Sequence, residues 1–198
     1  MVGYKASGSN RGEYMRVIAG EFKGRQLKSV PGKSTRPTTD KVKEAVFQVL
    51  GPFFNGGKVL DLFAGSGSLG VEAISRGIES GVFVDKHPKA IHTIKENIKT
   101  CKLEDKVEVF RTDAFQAVKA SAKRGLVFDL IIIDPPYGKV NYVKLINQII
   151  QFNLINEDGL IYCEHDPKED FNGVNENLNL LKQDNYGGTI GITIYQKN

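Results

Sequence analysis

The chain predicts an α/β fold, a mostly parallel sheet covered by helices on both faces, on three observations. From residue 58 onward, short apolar β-branched runs alternate with helix-period segments, and consecutive parallel strands need such crossovers. The runs are nearly continuous, Leu130-Ile131-Ile132-Ile133 above all, as expected of strands buried on both faces. Near the C-terminus, Asn185-Tyr186-Gly187-Gly188 is too short to hold a crossover helix, so the last two strands must be antiparallel neighbours.

The 198 residues suffice for one domain with a proper core. No apolar run reaches the length of a membrane span. Cys101 and Cys163 lack metal-like spacing, so the expectation is a reducing cytoplasm and no metal. Charge is uneven along the chain. Residues 1–43 carry a net +7 and the remainder a net −3, a pattern that suits either a polyanion footprint or a solvated basic face.

Residues 1–14 show no hydrophobic period and are read as an extraneous or disordered leader. Residues 15–37 form the next unit, a hairpin over 16–30 that turns near Phe22 to Gly24, followed by a loop bearing Lys33 and Arg36. Residues 38–198 make up the main domain. Thr38, Thr39 and Asp40 are cap candidates for a helix in which Val42, Ala45, Val46, Val49 and Leu50 share a face. Strands are then expected at 58–63, 81–85, 107–111, 127–133, 160–164, 178–184 and 189–196. Helices are expected at 69–75, 88–99, 113–121 and 141–151.

Gly65-Ser66-Gly67-Ser68-Leu69-Gly70 follows the strand at 58–63 and opens a helix. Glycines let backbone approach a ligand closely, and a helix start offers free N–H groups to an anion. The spacing alone is a weak signal. Asp85 ends the next strand, 20 residues beyond Gly65, where a carboxylate can grip ribose hydroxyls. Asp61 lies where an acid would repel a pyrophosphate and would instead suit a ligand carrying an ammonium and a sulfonium. Asp113 follows the third strand and serves equally as an adenine contact or as a helix cap.

Asp134-Pro135-Pro136-Tyr137 follows the most apolar strand and falls on the same rim. Two prolines without N–H leave a loop rich in acceptors. The Asp134 carboxylate and the Pro135 carbonyl can accept both hydrogens of one exocyclic amino group and so free its lone pair, while Tyr137 offers a plate for an extruded base. An ordinary turn would explain the motif if the glycine-rich loop were absent. Glu164-His165-Asp166 reads as a surface loop, His87 and His92 do not form a metal pair, and no nucleophile triad or phosphate-loop lysine is present.

The chain resembles the class I S-adenosylmethionine-dependent methyltransferases, and within them the bacterial RsmD type, the 16S rRNA (guanine-966-N2)-methyltransferases. The resemblance is carried by the segments at 15–25 (MRVIAGEFKGR), 36–47 (RPTTDKVKEAVF), 61–67 (DLFAGSG) and 134–137 (DPPY). It implies a Rossmann-like, seven-stranded, mostly parallel sheet with the last strand antiparallel, behind a small N-terminal β-hairpin. It implies S-adenosylmethionine as cofactor, held by Asp61, Phe63, Ala64, Gly65, Ser66, Gly67, Asp85, Lys86, Asp113 and Ala114, with Arg36 and Thr38 closing over the site. Asp134, Pro135, Pro136 and Tyr137 become the catalytic acceptor site, and 16S rRNA or a small-subunit particle the partner. Lys23, Arg25, Lys28 and Lys33 are the cations expected to hold that RNA. A monomer is expected. An adenine-N6 DNA methyltransferase or another amino-methyltransferase is the alternative, and a nicotinamide-dependent reductase is disfavoured by Asp61.

Overall fold

The computed structural model describes residues 14–32 and 40–198. Residues 1–13 of the expected leader at 1–14, the loop residues Lys33 and Arg36, and the cap candidates Thr38 and Thr39 lie outside the described residues, while Tyr14, the last of that leader, opens the first strand. Two short strands, β1 (Tyr14–Arg16) and β2 (Gln26–Lys28), form an antiparallel pair with Met15 opposite Leu27. Helix α1 (Asp40–Leu50) follows. Strands and helices then alternate as β3 (Lys58–Asp61), α2 (Ser68–Ser75), β4 (Ser80–Asp85), α3 (Pro88–Cys101), β5 (Val107–Arg111) and α4 (Ala114–Lys123). The chain continues through β6 (Phe128–Ile133), α5 (Tyr142–Gln151), β7 (Ile155–His165), β8 (Leu178–Tyr186) and β9 (Ile190–Lys197).

The sheet has seven strands in the order β5-β4-β3-β6-β7-β9-β8. All neighbours from β5 to β7 are parallel, and β9 is inserted antiparallel between β7 and β8. The alternation of side chains along each strand divides the core in two. Val59, Phe83, Leu130, Ile132 and Ile194 pack beneath the hairpin, α1, α2 and α3. Leu60, Val84, Ile131, Ile133 and Ile161 pack against α4 and α5. Continuous apolar runs are what a sheet buried on both faces requires.

Two of the boundaries that differ from the sequence expectation do so for clear physical reasons. The first strand of the hairpin ends at Arg16 because the N–H groups of Ile18 and Ala19 turn away to donate to the Glu72 carboxylate, at 2.8 and 3.0 Å. Glu72 is fully buried, and Arg76 Nε donates to it at 2.9 Å. Strand β7 begins at Ile155, earlier than expected. Ile155 pairs with Phe128 and Leu160 with Leu130, so residues 156–159 bulge out, with Asp158 at φ 61°. Their Asn-Glu-Asp-Gly composition reads as a turn, yet the strand resumes beyond it.

Candidate active site

Every predicted cofactor or acceptor residue among those described leaves the carboxyl end of one of four neighbouring strands. This is the rim where open parallel sheets bind ligands. Asp61 ends β3, Asp85 ends β4, Asp113 follows β5 and Asp134 follows β6. Because β3 and β6 are parallel neighbours, with Asp61 opposite Ile132, the loops at 62–67 and 134–137 emerge side by side.

The loop after β3 is shaped by its own backbone. Leu62 N–H donates to Ile132 O at 3.1 Å and Ala64 N–H to Val84 O at 2.9 Å, which stretches the segment across two strands. Gly67 caps α2 at φ 80°, a left-handed conformation that a side chain would strain. Gly70 is there for space: a Cβ would lie 2.3 Å from the ring of Phe83. At Gly65 a Cβ would meet, among the described residues, only Phe63 O, at 3.9 Å, so none of those residues fills the space above the loop. Phe63 is half-buried, and Ala64 and Ser66 continue the turn.

The two acids in this loop's surroundings behave differently. Asp85 is buried and both its oxygens are used, Oδ2 accepting from Gly65 N–H at 3.0 Å and Oδ1 from His87 N–H at 2.8 Å. Each oxygen keeps a further lone pair. Asp61 is only 1% exposed, and its Oδ1 has no hydrogen-bond partner among the described residues. Burial pushes its carboxyl up to about 7, against the opposing pull of the Phe63 and Gly70 N–H groups. A buried carboxyl with an orphaned oxygen is suited to an incoming cation.

Asp113 caps α4, its side chain accepting from Gln116 N–H at 3.1 Å, and it remains exposed. The Ala114 methyl is buried among the residues under α4, so that residue has only main chain to offer a ligand. Lys86 is exposed. In the acceptor loop Asp134 is half-buried, Pro135 buried and Pro136 exposed. Tyr137 is 40% exposed, and its hydroxyl donates to Thr189 O at 3.3 Å.

A buried polar layer beneath the acceptor loop was not legible in the sequence. Tyr162 donates to Glu164 Oε2 at 3.0 Å, and Tyr142 to Glu164 O at 2.7 Å. Burial, then the charges of Glu164 and Asp134, raise the Tyr162 hydroxyl well above the ordinary range, so it stays a donor. His165 is 2% exposed, which corrects its reading as a surface-loop residue. Its Nδ1–H donates to Asp166 O and its Nε2 accepts from Thr193 Oγ1, both at 2.8 Å, and burial lowers its pKa, so the ring is neutral.

The basic hairpin residues Lys23, Arg25 and Lys28 are all exposed. Arg25 donates to Thr100 O, and Lys28 pairs with Glu96 at 2.7 Å. Exposed contacts of this kind contribute little to stability. Among the described residues, no helix is long and apolar enough to cross a membrane, and no cluster of His, Cys, Asp and Glu is arranged to hold a metal ion.

Residues 15–196 match the family model described as conserved hypothetical protein 95. The chain is 49% identical over 183 residues to the Bacillus subtilis protein YlbH, covering 92% of this chain and 99% of that one. It is 36% identical over 155 residues to ribosomal RNA small subunit methyltransferase D of Buchnera aphidicola, covering 77% and 78%. The solved structure of the Escherichia coli protein yhhF, described as a methyltransferase, superimposes with a TM-score of 0.80 at 29% identity, covering 93% of this chain and 98% of that one.

Proposed function

The chain belongs to the conserved hypothetical protein 95 family, with ribosomal RNA small subunit methyltransferase D among its relatives, and on that premise we propose that it methylates a guanine of small-subunit (16S) ribosomal RNA. The methyl donor is S-adenosylmethionine and the acceptor is the exocyclic N2 amino group, at the guanine-966 type of position. One observation carries the reading. The glycine-rich loop and the Asp-Pro-Pro-Tyr loop, far apart in sequence, leave adjacent parallel strands and share one rim.

The residues present fit that cofactor. The orphaned Asp61 Oδ1 suits an ammonium, the spare lone pairs of Asp85 suit ribose hydroxyls, and the open space at Gly65 admits a ligand against the backbone. When bound, S-adenosylmethionine supplies a methyl group on a sulfonium that departs as a neutral thioether. Asp134 and the Pro135 carbonyl act on the acceptor by taking hydrogen bonds from both amino hydrogens. That pyramidalises a nitrogen whose lone pair is otherwise conjugated into the ring. As the N–C bond forms, the nitrogen becomes cationic, and the Asp134 carboxylate stabilises that charge and lies in place to take the released proton. Tyr137 presents an exposed ring for the flipped base to stack upon. Phosphate contacts from Lys23, Arg25 and Lys28 hold the RNA, as contacts of this kind supply sequence-independent affinity.

The test is label transfer from tritiated S-adenosylmethionine to ribosomal RNA and, separately, to DNA. Label should enter the RNA alone, and S-adenosylhomocysteine but not NAD should raise the melting temperature, because a ligand of the folded state stabilises it. Label in DNA adenine would favour the adenine-N6 alternative. A melting shift with NAD alone would end the methyltransferase reading.

A further inference from the structure

The hairpin and the glycine-rich loop are joined by two buried side chains, one for each strand of the hairpin. Asn97, on α3 and 1% exposed, faces β2. Its Oδ1 accepts from Lys28 N–H at 2.8 Å, and its Nδ2 donates to Lys28 O at 3.0 Å and to Ser66 O at 2.8 Å. Lys43, on α1 and 3% exposed, faces β1. Its Nζ donates to Arg16 O at 2.7 Å and to Ser68 Oγ at 3.2 Å, and pairs with Glu72 at 3.4 Å. Ser66 and Ser68 flank Gly67, so both contacts land on the turn that forms the cradle.

Packing alone does not call for this arrangement. Exchanging a buried, satisfied polar group for an apolar one of the same shape is often close to neutral for stability. Here two polar side chains from different helices each bridge one hairpin strand to one side of the same three-residue turn. The Asn97 bridge also fixes a peptide unit, whereas Lys43 holds the Ser68 hydroxyl. The Ser66–Gly67 peptide is held at its carbonyl by Asn97 and at its N–H by Ala64 O, at 2.6 Å. The Asn97 amide thus links the Lys28 main chain directly to that of Ser66.

We propose that Asn97 and Lys43 are positioning residues that make the hairpin and the cofactor loop one mechanical unit, so that RNA held by the hairpin and cofactor held by the loop strengthen each other's binding. The inference rests on the function proposed above and extends it to how the two ligands communicate. Coupling of this kind is reciprocal, because each ligand must change the other's affinity by the same factor.

The test measures S-adenosylhomocysteine affinity by calorimetry with and without a saturating transcript of the small-subunit ribosomal RNA. In the parent protein the RNA should tighten the affinity by roughly fivefold or more. In Asn97→Ala that enhancement should fall toward unity. Lys43→Met should do the same from the other strand, and it keeps the test open if one variant fails to fold, as judged by melting. Thr93→Val serves as control: Thr93 is a buried polar residue of the same helix whose hydroxyl, among the described residues, bonds only to Lys89 O, at 3.0 Å, and its loss should leave the coupling at the parent value. A merely structural role would lower stability in all three and leave the enhancement unchanged. Full coupling in a folded Asn97→Ala or Lys43→Met variant overturns the proposal, as does its absence from a parent that binds both ligands. A parent that binds neither ligand refutes the proposed function itself.

Discussion

The two loops that meet on the rim are built in opposite ways. The cofactor loop is tied down along its length: Ala64 to Val84, Gly65 to Asp85, Ser66 to Asn97, Gly67 to Ala64 and Ser68 to Lys43. The acceptor loop starts from a buried Pro135 and then turns outward, with Pro136, Tyr137, Gly138 and Lys139 all exposed. Under the proposed function, the difference follows from what each loop would receive. A small ligand with a reactive sulfonium has to sit in one geometry, and a prearranged backbone achieves this without reorganisation. A base delivered on a large RNA needs an open landing place, and two prolines keep that opening lined with acceptors.

The largest effect should come from the acceptor side. Asp134→Ala should lower turnover about 10²-fold or more, as when one preorganised charge-stabilising group is removed. Affinity for S-adenosylhomocysteine should stay near that of the parent. Single-turnover rates and calorimetry give the two numbers, and a matching loss of cofactor affinity would erase the division of labour between the loops.

On the cofactor side, rigidity depends on close packing. Gly70→Ala places a methyl 2.3 Å from the Phe83 ring, which is fully buried. Overpacking of this kind should cost about 1–3 kcal/mol in urea unfolding. Adding Phe83→Leu should restore part of that, since the two residues share one space. No destabilisation in Gly70→Ala would show that the loop tolerates more movement than its bonding implies.

The pH response sharpens the comparison further. With its carboxyl at about 7, Asp61 is favoured as the neutral acid in the ligand-free protein. Its contribution to free-protein stability therefore falls as pH rises from the ordinary carboxyl range toward 7. A ligand ammonium placed against the carboxylate reverses the preference. Affinity for S-adenosylhomocysteine should thus rise between pH 6 and 7, by up to about tenfold per unit, and flatten above, with a proton released on binding. Asp61→Asn should abolish that slope, and calorimetry in buffers of differing ionisation enthalpy reads both effects.

The smallest effect concerns the approach of RNA. Neutralising Lys23, Arg25 and Lys28 together should weaken RNA binding and flatten its salt dependence by roughly one unit of slope per lost contact. Unchanged binding across a salt series would make the segment a solvated face, and the footprint would then lie elsewhere on the rim.

The sheet was legible because apolar strands buried on both faces announce themselves, and the link at 185–188 dictated the antiparallel end. The candidate site was legible in its loops, since glycine spacing and the Asp-Pro-Pro-Tyr run are local patterns. What stayed hidden was long-range bonding. Nothing near Ile18 tells that its N–H belongs to Glu72, and Asn97 looks like any polar position beside the apolar Ile94 and Ile98. His165 was misread because its partner Thr193 lies on the inserted strand β9. Asp113 has two possible roles in the sequence; the structure shows its side chain capping α4, which is compatible with either.

Under the proposed function, the two loops form one site for methylation of an amino nitrogen. Digesting the methylated ribosomal RNA to nucleosides and identifying the product by mass spectrometry tests it most directly. The account predicts N2-methylguanosine, formed by the parent and lost in Asp134→Ala. Methyl groups on a ring carbon, on a ribose oxygen or on adenine, or a product yield that Asp134→Ala leaves unchanged, would contradict it.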